Sequence, residues 1–482
     1  MNRYMKLLFL ILSCLTAGIA SAQHHPNIVL IIGDDISPED LGCYGNKRIR
    51  TPNLDRLAQE GLQFSRFFVT SSSCSPSRTS LLTGRYPHNT GAAELHTPLP
   101  AYLTCFPEVL KKEGYYTALL GKWHEGPETK RAYDLLKAGE KENGSGGEDQ
   151  WLATLRNRPK DKPFFFWLAP FDAHRDWSAD PSTRPHDPEK DVAVPETLVD
   201  APGTREDLAA YYNEIGRLDH HLGDFMAELN RQGIADNTLV IFLADNARPF
   251  PGSKTRLTDR GLRSPLLMRW PKGIPKHGKT DALVSSIDLA PTLTALAGAP
   301  APASFQGKSF APLLTKPGGT FRRCVFGEHN WHDYEAWERS VRTGDFLYIL
   351  NLRPDLDNGG PIDANQSPAA HDLKAAKAEH HLSDLQSDVF LKPRAKEEFY
   401  DLKKDPGQRR NLVLEEAYAS KLREARLLLR NWQEETGDTA PANLTPDWYD
   451  RETGKPTAKK GQRGEMPGAS RNAGKINRPG PF

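Results

Sequence analysis

The 482-residue sequence predicts a doubly wound α/β domain followed by a smaller α+β domain. Residues 26–33 and 238–244 are uninterrupted apolar runs, as expected for strands that are buried on both faces. Residues 204–231 carry apolar side chains at steps of three and four, which indicates a long amphipathic helix. Alternation of such strands and helices predicts a sheet covered by helices, with its functional site at the carboxyl ends of the strands.

The remaining elements of the large domain follow from the same patterns of apolar residues. Before residue 204, in chain order, we predict a helix over 51–61, a helix over 107–113, and strands over 115–123 and 163–169.

The composition changes near residue 355. Residues 353–395 are rich in Asp, Asn, Pro, Gly and Ala and contain no long apolar run. A short strand over 397–402 and a helix over 415–434 follow, and the final residues are basic, rich in Gly and Pro, and without periodicity. We therefore predict a main domain over 23–355, a small C-terminal domain over 356–448, and an extended or disordered tail over 449–482.

Residues 1–22 have the pattern of a cleavable signal peptide. Arg3 and Lys6 precede the apolar run 7–12, and Ala20-Ser21-Ala22 provides a cleavage site with small residues. The apolar run is too short to span a membrane. A lipoprotein signal ending at Cys14 is a less favoured alternative, so we predict a periplasmic or secreted protein without a membrane span.

Charge and cysteine content exclude two further classes of protein. With 63 basic and 62 acidic residues the net charge is +1, so no overall field attracts nucleic acid and anion recognition must be local. Of the five cysteines, Cys14 lies in the predicted signal peptide and Cys74 is the candidate nucleophile described below. The three cysteines that remain do not make a disulfide framework.

Residues 74–84 combine a nucleophilic side chain with a helix start. Pro76 suits a first helical position, Ser75 or Ser77 can cap the exposed amides, and Gly84 can end the helix. This arrangement places Cys74 at the positive end of the helix dipole.

Arg78, one turn into the same predicted helix, adds a forked cation that matches a tetrahedral oxyanion. The stretch therefore predicts a binding site for an anion beside Cys74.

Oxygen-bearing side chains directly follow two of the buried strands. Asp34 and Asp35 come after the first strand, and Asp245 and Asn246 after the strand over 238–244. Clustered carboxylates repel one another and need a cation, and hard oxygen ligands suit Ca²⁺ or Mg²⁺ rather than zinc. These residues predict a divalent metal site at the strand ends.

The pattern Cys-x-Pro-Ser-Arg at 74–78, followed by Thr83-Gly84, resembles the signature of the type I sulfatases. The resemblance implies that a maturase converts Cys74 to Cα-formylglycine, whose hydrate attacks sulfur. It implies that residue 74 completes a Ca²⁺ or Mg²⁺ site with Asp34, Asp35, Asp245 and Asn246. It also implies an alkaline-phosphatase-like fold with a small C-terminal domain built on an antiparallel sheet.

Four further residues match the catalytic pattern of this family. Lys122 and His124, two apart at a predicted strand end, would project from the same face. The resemblance implies that Lys122 and Arg78 hold sulfate, that His124 assists breakdown of the sulfated intermediate, and that His174 or Lys254 protonates the leaving group. Asp245 would deprotonate the nucleophile.

Within the family the sequence most resembles the sulfamidases (N-sulfoglucosamine sulfohydrolases) and their bacterial relatives, through Gly126-Pro127-Glu128-Thr129 and Pro249-Phe250-Pro251. Sulfamidases carry Arg where Lys254 stands, and Lys is common there among O-sulfatases, so O-sulfate and N-sulfate substrates both remain open. The implied substrate is a sulfated oligo- or polysaccharide. Candidate sugar contacts are Glu94, His96, His329 and His332.

Two functions other than that of a sulfatase are possible for such a sequence, and its residues favour neither. Phosphatases or phosphodiesterases of the same superfold present Ser or Thr and bind two zinc ions through several histidines, whereas this sequence has Cys74 and a metal set without histidine. A sulfated-glycan binder whose Cys74 is never converted would not need the proton-transfer groups at Lys122, His124, His174 and Lys254.

Overall fold

The computed structural model describes residues 25–178, 183–468 and 472–482. The predicted signal peptide, including the alternative lipoprotein cysteine, lies outside these ranges. No helix in the described ranges is long and apolar enough to cross a membrane.

Thirteen strands are described, and they form two sheets. In chain order they are β1 Asn27–Gly33, β2 Leu62–Phe68, β3 Tyr116–Gly121, β4 Leu135–Ala138, β5 Phe164–Ala169, β6 Thr238–Ala244, β7 Arg263–Arg269, β8 Gly278–Thr280, β9 Val284–Ser285, β10 Cys324–His332, β11 Tyr334–Thr343, β12 Phe346–Asn351 and β13 Glu397–Asp401.

The α-helices in the described ranges lie between these strands and after them. They are α1 Pro52–Gln59, α2 Cys74–Thr83, α3 Phe106–Lys112, α4 Glu140–Asn143, α5 Trp151–Asn157, α6 Pro202–Arg231, α7 Asp259–Leu262, α8 Leu289–Leu296, α9 Ala311–Thr315, α10 Ile362–Asn365, α11 Pro368–Ala378, α12 Asp384–Ser387 and α13 Ala419–Thr436.

The large sheet is mixed, with the strand order β4-β3-β5-β1-β6-β7-β2-β8 and β9 paired with β2. β1 lies in the centre, parallel to both β5 and β6, whereas β7 runs antiparallel to β6 and β2. The predicted strands over 26–33, 163–169 and 238–244 correspond closely to β1, β5 and β6. These three neighbours bring their carboxyl ends to one edge of the sheet.

Both faces of the large sheet are buried, which explains the continuous apolar runs. Ile28 and Leu30 on β1 face one core, together with Leu81 of α2. Val29 on the same strand faces the other core, where Leu218 of the long helix α6 packs. The prediction of a helix-covered α/β sheet is confirmed.

The second sheet is antiparallel, in the order β10-β11-β12-β13, and α13 packs on it through Leu429 and Trp432. Three of its strands precede residue 355 and one follows, so the boundary predicted at 355 cuts through this sheet. The change in composition there marks the long connection between β12 and β13. Within that connection α11 packs on the main domain, where Leu373 joins the α6 core.

The described part of the C-terminal tail over 449–482 contains turns and one short 3-10 helix, Ala473–Lys475, and it is docked on the main body. Asn477 Oδ1 accepts a hydrogen bond from buried Arg85 at 2.8 Å, and the carbonyl of Pro479 accepts one from the Tyr86 hydroxyl at 3.3 Å. The guanidinium of Arg322 lies 4.5 Å from the ring centre of Phe482. These side-chain anchors hold a segment that contains no long helix or strand in its described part, so periodicity could not reveal that it is docked.

A buried ion pair ties α13 to the second sheet. Asp438, just after α13, accepts hydrogen bonds from Arg339 of β11 at 2.7 and 2.8 Å. Burial alone would raise the pKa of Asp438, but the charge of Arg339 outweighs it and lowers the pKa to about 2. A carboxylate whose pKa is depressed on folding stabilises the protein above its unfolded pKa of about 3.9 and loses that contribution as the pH falls.

Replacing this carboxylate should therefore be costly at neutral pH. We expect Asp438→Asn to lower the free energy of unfolding by about 3 kcal/mol at pH 7, because buried Arg339 then keeps only the more distant carboxylate of Glu328, at 3.8 Å, as a counter-charge. Urea denaturation at pH 7 and between pH 4 and pH 2 measures the free energy of unfolding of the unchanged protein and of the variant. The difference between them should narrow as the pH falls, and a difference that is the same at pH 7 and pH 2 would contradict a stabilising charge on Asp438. Asp450→Asn, at an exposed carboxylate, is the control.

Candidate active site

The predicted metal-binding side chains meet at the carboxyl edge of the large sheet. Gly33 and Ala244, the last residues of β1 and β6, are paired across the sheet, so the residues that follow them are neighbours. The amide of Asp35 donates to Asp245 Oδ1 at 3.2 Å, and Asn246 Nδ2 donates to the same oxygen at 2.7 Å. These side chains, like Asp34, are fully buried.

Cys74 is the first residue of α2 and faces this cluster. Its Sγ lies 3.7 Å from Asp34 Oδ1 and 3.8 Å from Asp35 Oδ1, while Asn246 Nδ2 is 3.6 Å away. Burial raises the pKa of the Cys74 thiol well above its usual value, despite nearby lysines. The unmodified thiol is therefore not an activated thiolate.

The helix start differs from the prediction in one respect. Ser73 is the N-cap residue and makes no capping hydrogen bond, and Pro76 is the third helical residue rather than the first. The nearby serines serve the site instead: Ser77 Oγ donates to the carbonyl of Asp245, and Ser75 Oγ accepts from the amide of His96. The predicted stop at Gly84, with φ of 61°, is confirmed.

Each of the three carboxylates turns one oxygen towards the centre of the cluster and the other towards a cation. The outer oxygens pair Asp35 with Lys254 Nζ at 2.6 Å, Asp245 with Arg78 Nε at 2.8 Å, and Asp34 with Lys122. Burial would raise the pKa of Asp34, but Lys122 and Arg78 lower it well below the usual range. The three cations are thereby fixed around Cys74.

The inner atoms fit a divalent metal ion. One ligand atom each from Asp34, Asp35 and Cys74 lies within 4.8 Å of the others. Asn246 Oδ1 is buried and has no hydrogen-bond partner among the described residues. Three carboxylates and an amide oxygen are hard ligands of the kind that Ca²⁺ and Mg²⁺ prefer.

Arg78 presents unused donors beside the same centre. Its guanidinium is fully buried and, in the part of the chain that is described, its two terminal nitrogens have no hydrogen-bond partner. The nearest carboxylate oxygen, on Asp34, is 3.6 Å from one of them. Buried donors of this kind are normally satisfied, so the geometry indicates that an anion bound beside Cys74 completes the site.

Lys122 and His124 lie in the loop after β3, which ends at Gly121, so the prediction that they share a strand face is wrong. The backbone turns at Gly121, where φ is 101°. A hydrogen bond of 2.7 Å joins His124 Nε2 to His96 Nδ1. Burial, reinforced by the charge of Lys122, lowers the pKa of His124 to about 2, so the ring is neutral at pH 7.

His174 lies beside Asp35, whereas Lys122 pairs with Asp34. Its Nε2 is 3.9 Å from Asp35 Oδ2 and 3.8 Å from Asp363 Oδ2, and about a third of the side chain is exposed. His174 and Lys254 therefore both lie next to the outer oxygen of Asp35. Asp363, which the sequence analysis missed, comes from α10 in a stretch without any periodic signal.

The four predicted sugar contacts have different surroundings. His332 Nδ1 is 2.8 Å from Ser73 Oγ, next to the start of α2, and His96 contacts His124. The carboxylate of Glu94 is buried and accepts hydrogen bonds from Thr445 and Arg463, as part of the packing of the C-terminal segment. His329 is buried, and together with His332 it lines a small polar pocket.

A buried carboxylate cluster suited to a divalent cation, beside an anion-binding arginine on a helix-covered mixed sheet, defines a hydrolase of anionic esters. Residues 26–144 and 148–299 match the family described as Sulfatase, and residues 253–387 match the C-terminal family described as N-sulphoglucosamine sulphohydrolase, C-terminal. The chain belongs to the sulfatase family.

Similar proteins of known activity span most of the chain. Human N-sulphoglucosamine sulphohydrolase is 32% identical over 90% of this chain and 94% of its own length. An ulvan-active sulfatase of Formosa agariphila is 29% identical over 86% of this chain and 76% of its own length. These matches and the family make this protein a sulfuric ester hydrolase.

Solved structures agree on the fold. A protein in complex with its substrate D-glucosamine-2-N,6-O-disulfate aligns with a TM-score of 0.67 at 22% identity, over 85% of this chain and 98% of its own. A 2-O GAG sulfatase aligns with a TM-score of 0.65 at 21% identity, over 92% of this chain and 99% of its own. The prediction of an alkaline-phosphatase-like fold is confirmed.

Proposed function

We propose that this protein removes sulfate groups, as O-sulfate esters or N-sulfates, from sulfated carbohydrates. The observation that carries the proposal is the buried guanidinium of Arg78, whose two terminal nitrogens have no hydrogen-bond partner among the described residues and lie close to Cys74. A sulfate group supplies the acceptor oxygens that these donors lack. The relatives named above act on sulfated sugars, which supports a carbohydrate substrate.

The proposal includes two groups that the sulfatase family uses, a formylglycine and a divalent metal. We propose that a formylglycine-generating maturase converts Cys74, and that Asp34, Asp35, Asp245 and Asn246 hold Ca²⁺, with Mg²⁺ as the alternative. When present, the hydrated aldehyde supplies an oxygen nucleophile for sulfur and the metal ion offsets negative charge.

The chain's own residues bind the sulfate group and transfer protons, some next to Asp34 and others next to Asp35. Arg78 and Lys122 bind and orient the sulfate oxygens from fixed positions, which is the kind of preorganised electrostatics that dominates such catalysis. His124, half-buried and hydrogen-bonded to His96, accepts a proton on the Lys122 side. His174 and Lys254, on the Asp35 side, donate a proton to the departing sugar oxygen or nitrogen.

The same proposal places the protein in the periplasm or outside the cell, where polymeric sulfated glycans are accessible. Its support is the pattern of residues 1–22 in the sequence. Degradation of a sulfated polysaccharide, one fragment at a time, is the role that fits such a location.

A desulfation screen tests the proposed function. Protein co-expressed with a maturase is incubated, with calcium present, with defined sugars that carry N-, 2-O-, 3-O-, 4-O- or 6-O-sulfate, and released inorganic sulfate is measured. We expect release from at least one sugar, and phosphate release from the matching phosphorylated sugars as a control should be far slower. Matured protein that releases phosphate but no sulfate would contradict the proposal.

A further inference from the structure

Asp363 carries an unused acceptor at the edge of the active site. Its Oδ1 accepts a hydrogen bond from the following amide, of Ala364, at 2.8 Å. Its Oδ2 is buried and has no hydrogen-bond partner in the described part of the chain, although His174 Nε2 lies 3.8 Å away. A buried carboxylate oxygen without a donor is uncommon and points to a ligand that supplies one.

The backbone around Asp363 is held on both sides. Asp333, directly after β10, accepts a hydrogen bond from the amide of Ile362 at 3.1 Å through its Oδ2. Asn365 Nδ2, at the end of α10, donates to the carbonyl of Arg451 at 2.8 Å. The second sheet and the C-terminal segment thus fix the carboxylate of Asp363 in place.

The charge of Asp363 matters because of where it lies. Lys254 and His174, which we assign to the leaving group, are on the Asp35 side of the cluster, and Asp363 adjoins them. A negative oxygen at this position attracts a hydroxyl or amino hydrogen of the departing sugar. It repels a second sulfate or a carboxylate there, since like charges at short range in a partly buried site cost several-fold in affinity or more.

We propose that Asp363 is a specificity-determining residue that accepts a hydrogen bond from a hydroxyl group adjacent to the sulfated position of the sugar. This inference rests on the proposed function. It adds that the substrate is a sugar with a free hydroxyl next to its sulfate, and that sugars sulfated at both positions are poor substrates.

The test compares Asp363→Asn with the unchanged protein on three substrates. They are the best sugar from the desulfation screen, its analogue lacking the adjacent hydroxyl, and 4-nitrophenyl sulfate, which has no such hydroxyl. We expect Asp363→Asn to lower kcat/KM for the sugar about 10–100-fold, mainly through KM, and to leave the other two substrates within about threefold. Asp384→Asn, at an exposed carboxylate in the same connection, is the matched control.

Two outcomes overturn the inference. An equal loss on the sugar and on 4-nitrophenyl sulfate would mean that Asp363 supports His174 or the fold rather than the sugar. An unchanged kcat/KM on the sugar would mean that its hydroxyl does not reach Asp363. If the unchanged protein hydrolyses no sulfated compound, the proposed function itself fails, and this result is distinguishable because it does not involve the variant.

Discussion

Replacing Cys74 with alanine is expected to abolish sulfate release, with kcat/KM falling by about 10⁴-fold or more. The reason is that residue 74 is the one nucleophilic group that lies against both Asp34 and Asp35, within 3.8 Å of their inner oxygens, in the described part of the chain. The measurement is the rate of sulfate release from the best substrate, with the melting temperature as a check on folding.

Cys43→Ala is the matched control for that variant. Cys43 is a half-buried free cysteine outside the cluster, and its removal should leave the rate within about twofold. If Cys74→Ala keeps the rate of the unchanged protein, the assignment of the nucleophile is wrong.

The second large effect is expected for Asp35→Asn. Asparagine keeps the size of the side chain and tolerates the left-handed backbone at this position, where φ is 61°. It removes one negative charge facing Cys74 and leaves Lys254 without its counter-ion at 2.6 Å. We expect kcat/KM to fall by at least about 100-fold, and the calcium concentration for half-maximal rate to rise, because cation affinity follows the charge of the ligands.

Asp40→Asn is the control for Asp35→Asn. It removes a buried negative charge outside the proposed metal site, and so it separates the effect of losing a buried charge from the effect of losing a metal ligand. Asp40 is also fully buried, and it pairs with Arg248 at 3.1 Å and with the Tyr211 hydroxyl at 3.0 Å. This control should lower the melting temperature without changing the calcium concentration that gives the half-maximal rate. A calcium dependence that is identical in the two variants would contradict the assigned metal site.

The sequence predicted which side chains meet at the carboxyl edge of the large sheet, because their placement depends on short-range patterns. Strands β1 and β6 are buried on both faces, so their apolar runs are continuous, and the residues after them, such as Asp35 and Asp245, must lie at one sheet edge. The serines and the proline signalled a helix near Cys74, although the N-cap is Ser73 and Pro76 is the third helical residue. These features need no knowledge of distant contacts.

The rim of the site depends on contacts between distant segments, and prediction was weaker there. Asp363 reaches the site only because a hydrogen bond to Asp333 and the packing of α11 bring the long β12–β13 connection against the main domain. Glu94 was predicted to contact sugar, whereas in the folded chain its carboxylate meets Arg463 of the tail. Neither pairing leaves a periodic or local signal in the sequence.

Mass spectrometry of the peptide that contains residue 74, taken from a preparation of known sulfatase activity, tests the central claim most directly. The account predicts an aldehyde or its hydrate in place of the thiol, in a fraction of molecules that rises in proportion to the specific activity. Full sulfatase activity in a preparation in which every residue 74 is an intact cysteine would contradict it.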